Sequence, residues 1–238
     1  MTRYQASFRH LLISIVVFSL FLSLVFFVWY AHPYNLTQGI ADIVYVMAVV
    51  DVVLGPFLTL ILYKEGKWGL KFDLTMIAIM QISALLYGAN VIYQQRPGYV
   101  VFSVNQFQVV SVNEIEFDDK YKQYKVDIIS KPKLIFAEKP TGQEASDLLM
   151  DVLDGKSSDI DRLPKYYRDY KKYRAEVLSR ATAIPKELRV QYNVPENWVM
   201  YPVVGKKKDI IALVNQDTAE IESFILEDPW PHFNKKGK

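Results

Sequence analysis

The sequence predicts a membrane α+β protein: three transmembrane helices followed by an extracytoplasmic domain of antiparallel sheet plus helix. Three observations predict it. Residues 11–30, 40–63 and 74–93 are apolar runs of 20 or more residues, each long enough to cross a hydrocarbon core of about 30 Å as a helix. Basic residues flank these runs on one side only. Beyond them the chain becomes mixed in charge and alternates between strand-like and helix-like stretches. The predicted division is 1–96 for the membrane domain and 97–238 for the distal domain, a normal size for one core.

Orientation follows from the loops. Arg3 and Arg9 precede the first run, and Lys64, Lys67 and Lys71 separate the second from the third. The loop 31–39 has neither Lys nor Arg. The positive-inside rule therefore puts the N-terminus and the second loop in the cytoplasm, and three crossings leave residues 97–238 on the opposite face. The first run is longer than a signal-peptide core and lacks a small-x-small cleavage site around Trp29-Tyr30-Ala31, so it reads as an uncleaved anchor. Asn35-Leu36-Thr37 matches a glycosylation sequon, of little weight in so short a loop.

Polar residues inside the helices are the sharpest local signal. Asp51 is near the middle of the second run, where a carboxylate costs roughly 2.5–3.5 kcal/mol, so it should face a protein neighbour, in its charged or protonated form. It lies 12 residues before Tyr63, about 18 Å along a helix. That depth brings it level with Ser23 in the first helix and with Gln81 to Tyr87 in the third, so hydrogen bonds within the bundle and contact with a partner in the membrane are both open. Gly55-Pro56 should kink the helix beside it. Ser19, Ser23, Ala84 and Gly88 provide small residues for close helix contact, and Asp73 reads as an N-cap.

In the distal domain, 99–104 and 107–112 read as a hairpin, 133–137 as a short strand, and Thr141-Gly142-Gln143-Glu144 as the capping box of a helix ending before Gly155. Residues 164–181 space Tyr166, Tyr170, Tyr173 and Val177 like a helix, with Lys and Arg between them. The acidic stretch before it favours a paired, solvated surface over a tyrosine-lined core rather than a nucleic-acid site. Segments 199–204, 209–214 and 219–225 predict a three-stranded meander. The tail Asp228-Pro229-Trp230-Pro231-His232-Phe233 is extended by its prolines.

Composition narrows the chemistry. Residues 97–238 carry 22 basic and 22 acidic side chains, which argues against a polyanion-binding surface and hence against nucleic acid. There are no cysteines, so disulfides and thiolate metal sites are excluded. The three histidines, His10, His32 and His232, are scattered, and no phosphate loop, zinc helix or serine elbow occurs. The sequence predicts no enzyme, no catalytic residues, no metal, no cofactor and no small-molecule substrate.

Taken in order, several segments resemble the type IV pilin accessory proteins of bacterial inner membranes. They are Phe8-Arg9-His10, Trp29-Tyr30, the run Asp51-Val52-Val53-Leu54-Gly55-Pro56, Lys71-Phe72-Asp73-Leu74, Gln81, Tyr87-Gly88, Arg96-Pro97, Tyr99-Val100-Val101-Phe102 and Pro229-Trp230. The match is strongest in the membrane half and through Phe102. The resemblance implies a multi-pass protein of the inner membrane with a periplasmic C-terminal domain. Its partners would be the lipid bilayer and a cognate major type IV pilin, which it would bind and stabilise as a chaperone or assembly modulator. Asp51, Gly55, Pro56, Gln81, Tyr87 and Phe102 are the expected partner-binding residues. Pilins of this class carry an acidic residue early in their apolar helix, so Asp51 would meet the pilin's terminal amine or remain protonated. The alternatives are a membrane-anchored envelope sensor or scaffold, and a transport component using Asp42 and Asp51, which would need a larger oligomer.

Overall fold

A computed structural model describes residues 1–233 and divides the chain into two units. One comprises residues 1–35 and 40–95, the other residues 36–39 and the chain from Arg96 onward. The first is a bundle of three helices long and apolar enough to cross a membrane: α1 (Arg3–Trp29), α2 (Ala41–Leu62) and α3 (Leu70–Gln94). Their outward side chains are apolar and exposed, among them Leu20, Phe27, Phe57 and Leu86, the pattern expected where lipid replaces water. Inside, Trp29 meets Tyr93 edge-on at 5.3 Å, and the Tyr30 hydroxyl donates to the Ile92 carbonyl at 3.0 Å. Gly88 is required by packing: a Cβ there would lie 2.5 Å from the Met47 sulfur.

Two helices widen into π turns, Val25–Trp29 at the end of α1 and Val49–Leu54 in α2. The second has a covalent cause. Pro56 has no N–H to give to the carbonyl four residues earlier, and the Gly55 N–H bonds to Val50, five residues back. The start of α3 corrects one expectation. Its N-cap is Gly69, with φ of 85°, and Asp73 instead pairs with Lys67.

The second unit is built on one sheet. Its strands are β1 (Pro97–Ser103), β2 (Gln106–Ser111), β3 (Lys133–Ala137), β4 (Tyr167–Asp169), β5 (Thr182–Ala183), β6 (Trp198–Val204), β7 (Ile210–Asn215) and β8 (Ile221–Ile225). They lie in the order β4-β3-β1-β2-β6-β7-β8, with β5 beside β6. The membrane α+β class holds, but the purely antiparallel pairing does not. β1 pairs with β3 in parallel, and β2 with β6 likewise, so the sheet is mixed. The chain leaves the hairpin through long connections and can return in the same direction, a choice a two-residue turn would forbid. All seven residues of β1 are buried, as befits a strand with neighbours on both edges.

Helices α4 (Gly142–Leu153), α5 (Arg174–Ser179) and α6 (Lys186–Gln191) and a short α7 (Trp230–Phe233) belong to this unit; α7 corrects the expectation of an extended tail, since Pro231 is tolerated in a first helical turn. The long helix expected over 164–181 is reduced to α5. Residues 164–173 instead form two 3₁₀ turns around β4, because Tyr167–Asp169 pair with β3 and bury Tyr166, Tyr167 and Tyr170. The tail docks through its first aromatic: Trp230 Nε1 donates to Asp209 Oδ2 at 2.7 Å.

Residues 36–39, from the loop between α1 and α2, belong to this second unit. The Thr37 carbonyl accepts from the Lys207 N–H at 2.9 Å and from Lys208 at 3.3 Å. Gly205 makes that closeness possible, since a Cβ there would stand 2.7 Å from both Thr37 and the Lys208 carbonyl.

Candidate functional site

The most unusual chemistry lies in the membrane bundle. Asp51 occupies the π turn of α2 and is buried, with 7 % of its surface exposed. Among the described residues its Oδ2 has no hydrogen-bond partner. An unpaired buried polar atom costs roughly 1–3 kcal/mol, more if charged, and Asp51 is the carboxylate that bears this cost inside the apolar run of α2. Gln81 is the neighbour expected from depth, but its amide donates to the Asp51 backbone carbonyl at 3.0 Å rather than to the carboxylate. It therefore steadies the widened turn. Gly55 makes room for it, because a Cβ at 55 would overlap the Gln81 amide at 2.0 Å.

Ser23 and Tyr87, the other donors expected at that depth, have no hydrogen bond to Asp51 among the described residues. Ser23 donates to the Ser19 carbonyl in its own helix at 2.9 Å. Tyr87 is 73 % exposed, on the outside of α3.

Asp51 lines two grooves. One, of about 260 Å³, runs between α1 and α3 and is lined by His10, Ser14, Phe18, Asp51, Gln81 and Leu85, among others. The second, of about 490 Å³, lies between α2 and α3, with Asp42, Met47, Asp51, Ala84, Tyr87 and Gly88 in its wall. Both are mostly apolar, with polar side chains at a few heights. That suits an apolar helix carrying one donor better than a soluble ligand.

Sequence reasoning missed part of this site. His10 Nδ1 lies 2.6 Å from Thr59 Oγ1, Thr59 donates to the Gly55 carbonyl at 3.1 Å, and Ser7 donates to the Pro56 carbonyl at 2.9 Å. These bonds brace the backbone on the far side of the proline. The signal was present: Ser7, His10 and Ser14 share one face of α1 by their spacing of three and four, and Asp51, Gly55 and Thr59 share one face of α2.

Of the expected partner-binding residues, Asp51, Gly55, Pro56 and Gln81 come together, and Tyr87 lines the second groove. Phe102 is a correction. It is fully buried in β1, stacked on Phe136 at 6.0 Å and edge-on to Phe107 and Tyr201 at 5.1 and 5.4 Å, so it packs the core and cannot touch a partner.

In the second unit burial shifts ionisable groups, Tyr99 and Asp161 among them. Burial, aided by Tyr124 and Asp127, pushes the Tyr99 hydroxyl up to about 12; it donates to the Tyr124 carbonyl at 2.7 Å. Burial first, then Asp159, raises the Asp161 carboxyl, while Arg162 opposes the shift.

A family model described as "Fimbrial assembly protein FimB" matches residues 1–39. Three Dichelobacter nodosus proteins are similar over 113 residues, 46 % of this chain. The fimbrial assembly protein of serogroups C1 and C2 is 37 % identical, with 86 % of its length covered. Those of serogroups I and E1 are 38 % and 37 % identical. The matched region spans 44 % of the length of each of these two. No solved structure matches the chain.

Proposed function

This chain belongs to the fimbrial assembly protein family, and from that premise we propose that it is an inner-membrane accessory protein that binds the major fimbrial subunit, stabilises it before polymerisation and modulates pilus assembly. Its N-terminus is cytoplasmic and its C-terminal domain periplasmic on this reading, and it does no chemistry of its own. Before assembly, a pilin is a single apolar helix bearing a head domain. Such a helix needs a surface that competes with lipid, and lipid offers apolar contact equally well. What lipid cannot offer is a polar partner at a fixed depth.

The observation that carries the proposal is the unpaired Asp51 Oδ2 in the wall of two apolar grooves. A donor on the incoming helix, the subunit's terminal amine being the strongest, satisfies that oxygen. The energy that left it unpaired in the free protein is recovered in the complex. Gly55, Pro56 and Gln81 hold the π turn in which Asp51 lies. Tyr87 lies along the second groove.

Photocrosslinking in intact membranes tests this. A photoreactive residue at position 87 is expected to give an adduct with the major fimbrial subunit. Adducts only with further copies of this chain would support an oligomeric scaffold instead and contradict the proposal.

A further inference from the structure

The amphipathic helix α4 leaves its apolar face largely uncovered. None of its twelve residues is buried, and Leu149 and Leu153 are 59 % and 72 % exposed. Ala145, Leu148, Leu149 and Val152 form one wall of a groove of about 360 Å³, and Val104 stands in the same lining. Val104 is at the tip of the β1–β2 hairpin, where its φ is +58° although β-branched residues avoid that region. It is 49 % exposed. Asparagine or glycine would serve the turn at lower cost, so the valine is accounted for by what its side chain does in the groove rather than by the hairpin.

Charge identifies the occupant. Between Lys139 and Asp159 two of the exposed acids are paired, Asp154 with Lys156 and Glu144 with Lys165, and the remaining exposed ionisable groups are Asp147, Asp151 and Asp159 against Lys139, a net of −2. An apolar groove within an acidic surround suits a segment with large apolar side chains bracketed by Lys or Arg. We propose that the groove between Val104 and α4 is a second docking site, distinct from the membrane grooves, for such a basic-flanked apolar segment on the fimbrial subunit's head. The inference rests on the function proposed above. Two weak sites on one partner then reinforce each other through effective concentration.

The test uses the full chain in its native membrane together with the epitope-tagged major fimbrial subunit of the same organism. A photoreactive residue at the exposed position 149 is expected to capture the subunit. Reversing two charges, Asp151→Lys with Asp159→Lys, is expected to cut that adduct at least tenfold while leaving the adduct from position 87 unchanged. Val104→Gly, which relieves the backbone, is expected to lower capture at 149 without loss of fold. If position 87 captures the subunit while 149 gives nothing, gives only self-adducts, or ignores the charge reversal, the second site is refuted and the proposed function stands. If neither position captures it, both fail.

Discussion

In the C-terminal unit the buried hydroxyls of Tyr167, Tyr170 and Tyr201 each donate to a backbone carbonyl, at 2.6, 2.8 and 2.7 Å, whereas in the membrane bundle the buried Asp51 carboxylate keeps an oxygen with no partner. The settings differ in cost. Asp51 lies in a helix built to cross lipid, where an unpaired carboxylate is dearest, and there the polar atom has been left waiting. On the proposed function, the contrast is between polar groups that hold a fold together and one available to another molecule. Asp51 and Phe102, both in the expected partner-binding set, differ in the same way, Phe102 being a core ring.

The sharpest way to break the comparison is at Phe102. As a core ring, Phe102→Ala should destabilise the C-terminal unit by about 3–5 kcal/mol, read by thermal unfolding of the purified chain, and any loss of partner capture should track that unfolding. Lost capture with unchanged stability would return Phe102 to the contact set. Next is Gly205→Ala, whose Cβ meets the Lys208 and Thr37 carbonyls and the Thr37 Cβ, none of them the far end of a flexible side chain. A destabilisation of roughly 1–3 kcal/mol is expected, with earlier proteolysis around residues 36–39 and 205–208.

The smallest expected effect is at Asp161. Because burial raises its carboxyl, the folded state holds that proton to higher pH than the unfolded state, and this group's contribution to stability falls as pH rises through and above the ordinary carboxylate range. Asp161→Asn should therefore stabilise the unit at neutral pH, with the gain shrinking to nothing below about pH 4. Denaturant midpoints at pH 4 and pH 7 measure it; the Tyr167 bond is unaffected because it uses the Asp161 main chain.

The three long helices were legible because composition over 20 residues carries that signal without tertiary knowledge. The meander β6-β7-β8 was legible for a similar reason, each strand being joined by a short turn. The parallel pairings of β1 with β3 and β2 with β6 were not, since they join segments far apart in sequence and no local pattern chooses between directions. The helix expected over 164–181 failed over its first half, where a helical tyrosine spacing was overridden by pairing of Tyr167–Asp169 with β3. At the candidate site, Asp51 and Gly55-Pro56 could be picked out because each breaks an apolar run. The role of Gln81 could not, because its bond goes to a main-chain carbonyl freed by the π turn. His10 and Thr59 form a pair across two helices, a contact visible only once α1 and α2 are packed.

The most direct test of the central claim is Asp51→Asn in the full chain, with bundle stability and capture of the fimbrial subunit from position 87 measured on the same membranes. Since the lost carboxylate oxygen has no partner in the free bundle, the bundle should be no less stable, gaining up to about 1–3 kcal/mol where the charge cost is relieved, while capture and piliation fall at least tenfold. Unchanged capture and piliation, or a loss explained by an unfolded bundle, would contradict the claim that Asp51 is held for a partner.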